Sequence, residues 1–254
     1  GGRNDYQASR EDLRGTLRRR GIYLLPNLFT SGVLFSGFYA IVQAMNGRYE
    51  LAATAVFVAM VLDGLDGRIA RLTRTQSEFG AQYDSLADVV AFGAAPALIM
   101  YEWALQPLGR LGWIVAFVYC VCVALRLARF NTNIGVVDKR WFQGLPSPSG
   151  AALVAGLVWI MNDLEVDPVG WGRVLAVVFT LFAAITMVSS IPFYSFKTIN
   201  FRRAVPFWAV LVIVLILVVV TSYPPLVLFS FFVVYSLSGY VMWLWNFRNK
   251  RSPF

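Results

Sequence analysis

Histidine is absent from all 254 residues of the chain. Its absence removes the commonest general base and the commonest ligand for zinc and haem, so acid–base or metal chemistry must fall to other groups. Cysteine is nearly as scarce. The only two, Cys120 and Cys122, are two apart on one expected helix and face different sides of it. No disulfide framework or zinc motif follows from such a pair. Charge is thin too, at 14% of residues, where a soluble domain carries about a quarter. What fills the chain is apolar: 58% of residues are hydrophobic and the mean hydropathy is +0.62. These values describe an integral membrane protein.

At about 20 apolar residues per span, the chain accommodates an all-α, polytopic membrane helix bundle of about eight transmembrane helices. Residues 1–23 form a basic N-terminal arm suited to a membrane interface, ending in Arg18-Arg19-Arg20, and 248–254 a basic tail. The single membrane domain runs over 24–247. Its spans are expected at Leu24–Met45, Leu51–Leu72, Gly80–Trp103, Leu111–Phe130, Ala151–Met161, Val174–Ile191, Phe207–Thr221 and Leu226–Trp245. There is no internal repeat or linker. The first long apolar run follows a basic arm, which is not the pattern of a cleavable signal.

Charge placement supports this count. With a cytosolic N-terminus, Arg68, Arg71, Arg126, Arg129, Lys139, Arg140, Lys197, Arg202, Arg203 and Arg248 fall on the cytosolic side. Only Arg48, Arg110 and Arg173 fall outside, and the loop holding Asp163, Glu165 and Asp167 is acidic and external. Both termini are then cytosolic, as the positive-inside rule requires. The net charge of +8 is mostly this rule. Basic residues dispersed over membrane-adjacent loops argue against nucleic-acid binding.

Against this background, Val61 to Gly93 stands out: VLDGLDGRIARLTRTQSEFGAQYDSLADVVAFG. It puts Asp63, Asp66, Asp84 and Asp88 inside sequence that otherwise reads as membrane helix, where ionisable residues are expensive and functional by default. Asp63 and Asp66 share one helix face, and so do Asp84 and Asp88. At ~1.5 Å per residue, the first pair lies roughly 18–23 Å along its helix and the second roughly 6–12 Å into the next. In antiparallel neighbours both pairs reach one level, near the lipid phosphates. Four carboxylates at low dielectric repel one another unless cations neutralise them. One or two divalent ions would do so, and a carboxylate set favours hard cations such as Mg or Mn. Gly64 and Gly67 leave room either for a ligand at the backbone or for close helix packing. Arg71, one turn beyond Gly67, could neutralise a phosphate.

The pattern D-x2-D-G-x2-A-R-x8-G-x3-D-x3-D, carried by Asp63, Asp66, Gly67, Ala70, Arg71, Gly80, Asp84 and Asp88, resembles the signature of the CDP-alcohol phosphotransferases. All eight positions fit. The resemblance implies a helical membrane enzyme that displaces CMP from a CDP-activated lipid with an alcohol. It implies that Asp63, Asp66, Asp84 and Asp88 ligate two divalent ions, and that Asp88 is also the base on the incoming hydroxyl. It further implies that Asp66, Gly67, Ala70, Arg71 and Gly80 bind CDP-diacylglycerol, with Asn27 and Thr30 of the first span. Asn27 can alternatively cap the first helix.

Beyond the motif, LPNLFTSG, SEFGAQYDSLADVVAFGAAPAL, LRLARFN and DKRWFQGLPSP resemble the integral-membrane bacterial phosphatidylserine synthases over roughly residues 20–160. That likeness implies transfer from CDP-diacylglycerol to L-serine at the cytosolic face of a bacterial inner membrane, by a homodimer. Serine brings a carboxylate that needs a cation, for which Arg126 and Arg129 are candidates. Asn131, Gln143, Ser147 and Ser149 are candidate polar contacts in the loop that follows. Tyr83 and Ser85 border the aspartates without an assignable role. Glycerol 3-phosphate, an inositol phosphate or choline remain alternative acceptors. A divalent-cation transporter is the reading from another class, although transport sites usually sit at the midplane between repeats.

Overall fold

Apolar runs punctuated by glycine, proline and short polar loops become eight helices among the described residues, which are 25–73, 77–132, 141–195 and 207–248 in this computed structural model. The basic arm 1–23 and the tail beyond Arg248 lie outside them. The helices are α1 (Leu25–Met45) and α3 (Glu78–Leu108), α2 (Tyr49–Thr73) and α4 (Arg110–Thr132). They continue with α5 (Ser147–Asp163), α6 (Trp171–Val188), α7 (Phe207–Ser222) and α8 (Pro224–Arg248). Of these, α1, α3, α4, α6 and α8 are long and apolar enough to cross a membrane. The other three depart from the simple span for separate reasons: α2 carries the aspartates and arginines, while α5 has 17 residues and α7 has 16.

At the centre stands α5. Every residue from Ser149 to Ile160 is buried, and the helix packs against α2, α3, α6 and α8. A helix apolar on all sides belongs in such a core or in lipid. α7 is the second case: every side chain from Val210 to Val219 is exposed, and the helix lies against α8. Glycines set the closest approaches. A Cβ on Gly37 would fall 2.6 Å from the Ala91 Cα, and one on Gly156 would fall 3.1 Å from the Phe229 ring. Small residues thus let α1 meet α3 and α5 meet α8 backbone to side chain.

α3 is not a uniform α-helix. It contains π-helical turns at Val89–Ala94 and Tyr101–Leu105 and ends in a 3-10 turn. Pro96 has no N–H to return to the Phe92 carbonyl. Fully buried Tyr119 of α4 takes that carbonyl instead, its hydroxyl donating over 2.9 Å. At the helix's other end, where carbonyls lack helical donors, Tyr49 donates to Glu102 O and Arg173 to Ala104 O.

The all-helical expectation misses one element. β1 (Trp141–Gln143) pairs antiparallel with β2 (Pro192–Tyr194), Phe142 opposite Phe193. Forming this ribbon requires α6 to stop at Val188, short of the expected Ile191. It also requires Gly144, at φ +79, to turn the chain into α5. That helix starts at Ser147, earlier than the expected Ala151, with Pro148 in its first turn, where proline costs no hydrogen bond.

Candidate active site

Local sequence decides how the two aspartate helices enter the site. α3 opens on Ser77, whose extended backbone and side-chain oxygen cap the helix by accepting from Gly80 N–H at 3.0 Å. This is ordinary N-capping, and it sets where Asp84 and Asp88 emerge. Asp63, Asp84 and Asp88 offer carboxylate oxygens that all lie within 4.8 Å of one another. Asp88 is only 8% exposed, and its Oδ1 has no hydrogen-bond partner among the described residues. It sits at the head of the first π-helical turn, a feature common at functional sites. Three oxygen donors from two helices, one of them buried and unsatisfied, suit a hard divalent cation.

Asp66 stands beside this triad rather than in it. It is 5% exposed, and its Oδ2 accepts from the Thr30 hydroxyl, which also faces the Pro26 carbonyl. Three of the four predicted aspartates thus bring their carboxylate oxygens to one place, while Asp66 is held by Thr30.

The phosphate-side candidates border the triad. Among the described residues, nothing outside its own helix comes within 4 Å of a Cβ placed on Gly64, and on Gly67 such a Cβ meets only Arg71 Nη1, at 4.0 Å. These glycines leave open backbone among the described residues. Arg71 is exposed and Ala70 half-buried. A Cβ on Gly80 would lie 3.0 Å from Ser77 Oγ and 3.6 Å from Asn27 Oδ1. Asn27 lies inside α1 and so is not its cap; it faces α3.

The acceptor-side candidates separate. Arg126 is 7% exposed. Its Nη1 donates to Ser147 Oγ at 3.4 Å, and its Nε is buried without a partner among the described residues. Arg129 is engaged on backbone: Nη1 donates to Val188 O (3.0 Å), and Nη2 to Gln143 O (3.0 Å) and Ser189 O (3.1 Å). Gln143 therefore contributes a carbonyl to Arg129. Asn131 donates to Ser85 Oγ at 2.8 Å, tying α4 to the aspartate helix. Of these candidates, only Arg126 is both buried and left with a donor that has no partner among the described residues.

The sequence model described as CDP-alcohol phosphatidyltransferase matches residues 23–188, which includes both aspartate pairs. The chain belongs to the CDP-alcohol phosphatidyltransferase family. The match runs on through α6, past the residue-160 limit of the motif likeness. Among its relatives, a Helicobacter pylori protein is 37% identical over 224 residues, covering 88% of this chain and 92% of its own length. A Mycobacterium tuberculosis relative is 41% identical over 147 residues, 55% of this chain and 51% of its own length. One from Methanocaldococcus jannaschii is 40% identical over 114 residues, 45% and 53% respectively. All three carry the name CDP-diacylglycerol–serine O-phosphatidyltransferase.

Two features of this phosphatidyltransferase escaped the sequence reading. One is the π-helical turn behind Asp88, for which Pro96 was the available signal. The other is the Thr30-Ser31 pair. Thr30 holds Asp66 on α2, while Ser31 Oγ shares a 2.7 Å hydrogen bond with Tyr83 OH on α3. Adjacent residues of α1 thereby hold both aspartate helices. Tyr83 and Ser85, next to Asp84 on either side, are tethers to α1 and α4.

Proposed function

We propose that this phosphatidyltransferase moves the phosphatidyl group of CDP-diacylglycerol onto the hydroxyl of L-serine, giving phosphatidylserine and CMP. The observation that carries the reading is that Asp88 and Arg126 are both buried, and that Asp88 Oδ1 and Arg126 Nε each lack a hydrogen-bond partner among the described residues. A buried carboxylate base and a buried cation suit an acceptor that brings both a hydroxyl and a carboxylate. The Helicobacter pylori relative, similar over nearly its whole length, supports serine as that acceptor.

Asp63, Asp84 and Asp88, with Asp66 beside them, would hold one or two divalent cations, Mg or Mn. When bound, such ions supply charge neutralisation for phosphoryl oxygens. The open backbone at Gly64 and Gly67 admits the pyrophosphate, and Arg71 offers its guanidinium to a phosphate. Asn27 and Gly80 line the side where α1 meets α3, toward the nucleotide. Asp88 takes the serine hydroxyl proton as the serine oxygen bonds to the diacylglycerol-bearing phosphorus. The phosphorus–oxygen bond to CMP breaks and CMP leaves. Arg126 holds the serine carboxylate and so orients the hydroxyl.

In the same reading all eight helices lie within a bacterial inner membrane, with both termini and the site at the cytosolic face. The excess of Arg and Lys on the side that carries the aspartates favours this orientation. A homodimer in contact with membrane lipids completes it.

The test is CMP release and lipid product from CDP-diacylglycerol with L-serine, glycerol 3-phosphate, inositol, choline or no acceptor. Serine-dependent release with phosphatidylserine as the product is expected. Release driven by another acceptor would keep the family chemistry and overturn the serine assignment.

A further inference from the structure

Arg126 and Arg129 lie one turn apart on α4, and composition alone makes them equivalent partners for an acceptor carboxylate. Their surroundings do not. Both terminal nitrogens of Arg129 are engaged on carbonyls of two distant segments: Val188 and Ser189 at the end of α6, and Gln143 at the end of β1. Carbonyls at a helix end have no donor from their own helix. A planar guanidinium fork can serve three such acceptors at once, whereas an ammonium is a point donor on a flexible stem.

From Gln143 the chain has little freedom before it reaches the site. Gly144 N–H donates to Ile191 O at 2.8 Å and Leu145 N–H to Thr186 O at 3.1 Å. A Cβ on Gly144 would fall 2.4 Å from Met187 O, so the segment is already as close to α6 as backbone allows. Pro146 and Pro148 flank Ser147 and stiffen it. Ser147 is 1% exposed, and its Oγ accepts from Arg126 Nη1 at 3.4 Å. That contact is near the limit for a hydrogen bond, so it survives only while the segment keeps its place.

We propose that Arg129 is a positioning residue of the acceptor site: by tying β1 to the end of α6 it fixes Ser147, and Ser147 fixes the direction of the Arg126 guanidinium. This rests on the reading that Arg126 meets the acceptor's carboxylate. Arg129 itself touches neither substrate.

The experiment uses the full chain purified in detergent, with steady-state CMP release from CDP-diacylglycerol and L-serine. Arg129→Lys keeps the charge and removes the fork. It is expected to raise the serine KM roughly tenfold, the size of one charge-assisted hydrogen bond, with little change in kcat or in the KM for CDP-diacylglycerol. In an Arg126→Met background the same change should alter the serine KM by less than about twofold, because coupled residues are not additive. Amide exchange over residues 143–147 should quicken about tenfold or more in Arg129→Lys, with or without serine, as the tie opens. Ser147→Ala leaves the three Arg129 bonds in place and should reproduce the KM change by itself.

Equal KM effects of Arg129→Lys with and without Arg126 would make Arg129 a direct ligand and overturn the proposal. So would unchanged exchange over 143–147, or a lower thermal midpoint with the serine KM unchanged. If Arg129→Lys does not fold, an unaltered serine KM in Ser147→Ala overturns the route. If the wild type shows no serine dependence, the serine reading fails, and the exchange result decides the Arg129 tie independently.

Discussion

Gly37 and Gly64 lie on neighbouring helices, and their surroundings are opposite. A Cβ on Gly37 would press to 2.6 Å from the Ala91 Cα, while one on Gly64 would meet nothing within 4 Å outside its own helix among the described residues. The first belongs to the packed waist of the bundle, where backbones meet because side chains are missing. The second belongs to the aspartate end, where backbone is left bare beside three converging carboxylates. Glycine in a membrane helix therefore has two uses, and what lies opposite decides between them. Packed glycines hold the bundle; bare ones, in this account, admit a phosphate.

The sharpest way to break the contrast is at the aspartate end. Asp88→Asn removes the proposed base, and kcat/KM should fall by roughly 10²–10⁴, the usual range for general-base loss. The thermal midpoint in detergent should stay close to wild type. At the waist, Gly37→Val should do the reverse. It should destabilise the fold by about 1–3 kcal/mol, the usual range for overpacking, read as a lower thermal midpoint, with normal turnover per folded molecule. Arg126→Met should raise the serine KM by roughly 10–100-fold through loss of a charge-assisted bond, while the KM for CDP-diacylglycerol holds. The smallest effect sharpens the comparison most. Gly64→Ala should leave the fold intact or stabilise it by up to about 1 kcal/mol from helix propensity. It should nevertheless raise the KM for CDP-diacylglycerol severalfold. A Gly64→Ala protein with unchanged kinetics would place this glycine outside the site.

Much of this was legible because the sequence writes it in residue types. Apolar runs located all eight helices, with ends displaced by a few residues where a proline or a strand intervened. The aspartate spacing brought Asp63, Asp84 and Asp88 together as the two-helix geometry required. What was not legible depends on backbone groups that every residue carries. Arg129 looks like Arg126 in sequence because its three partners are carbonyls, and carbonyls have no sequence signal. The ribbon was hidden for a related reason: β1 and β2 are three residues each, too short for periodicity to register. The Thr30 hydroxyl holds Asp66, a contact between helices that spacing within one helix cannot reveal. The π-helical turn at Val89–Ala94 follows from Pro96 only once Tyr119 is known to reach the carbonyl that the proline leaves.

The most direct test of the central claim is serine-dependent CMP release titrated with Mg or Mn, for wild type and Asp84→Asn after metal removal by a chelator. The account predicts no release from metal-free wild type, recovery on adding either ion, and a much higher ion requirement in Asp84→Asn. Full release from chelated wild type, or identical titrations for the two proteins, would contradict it.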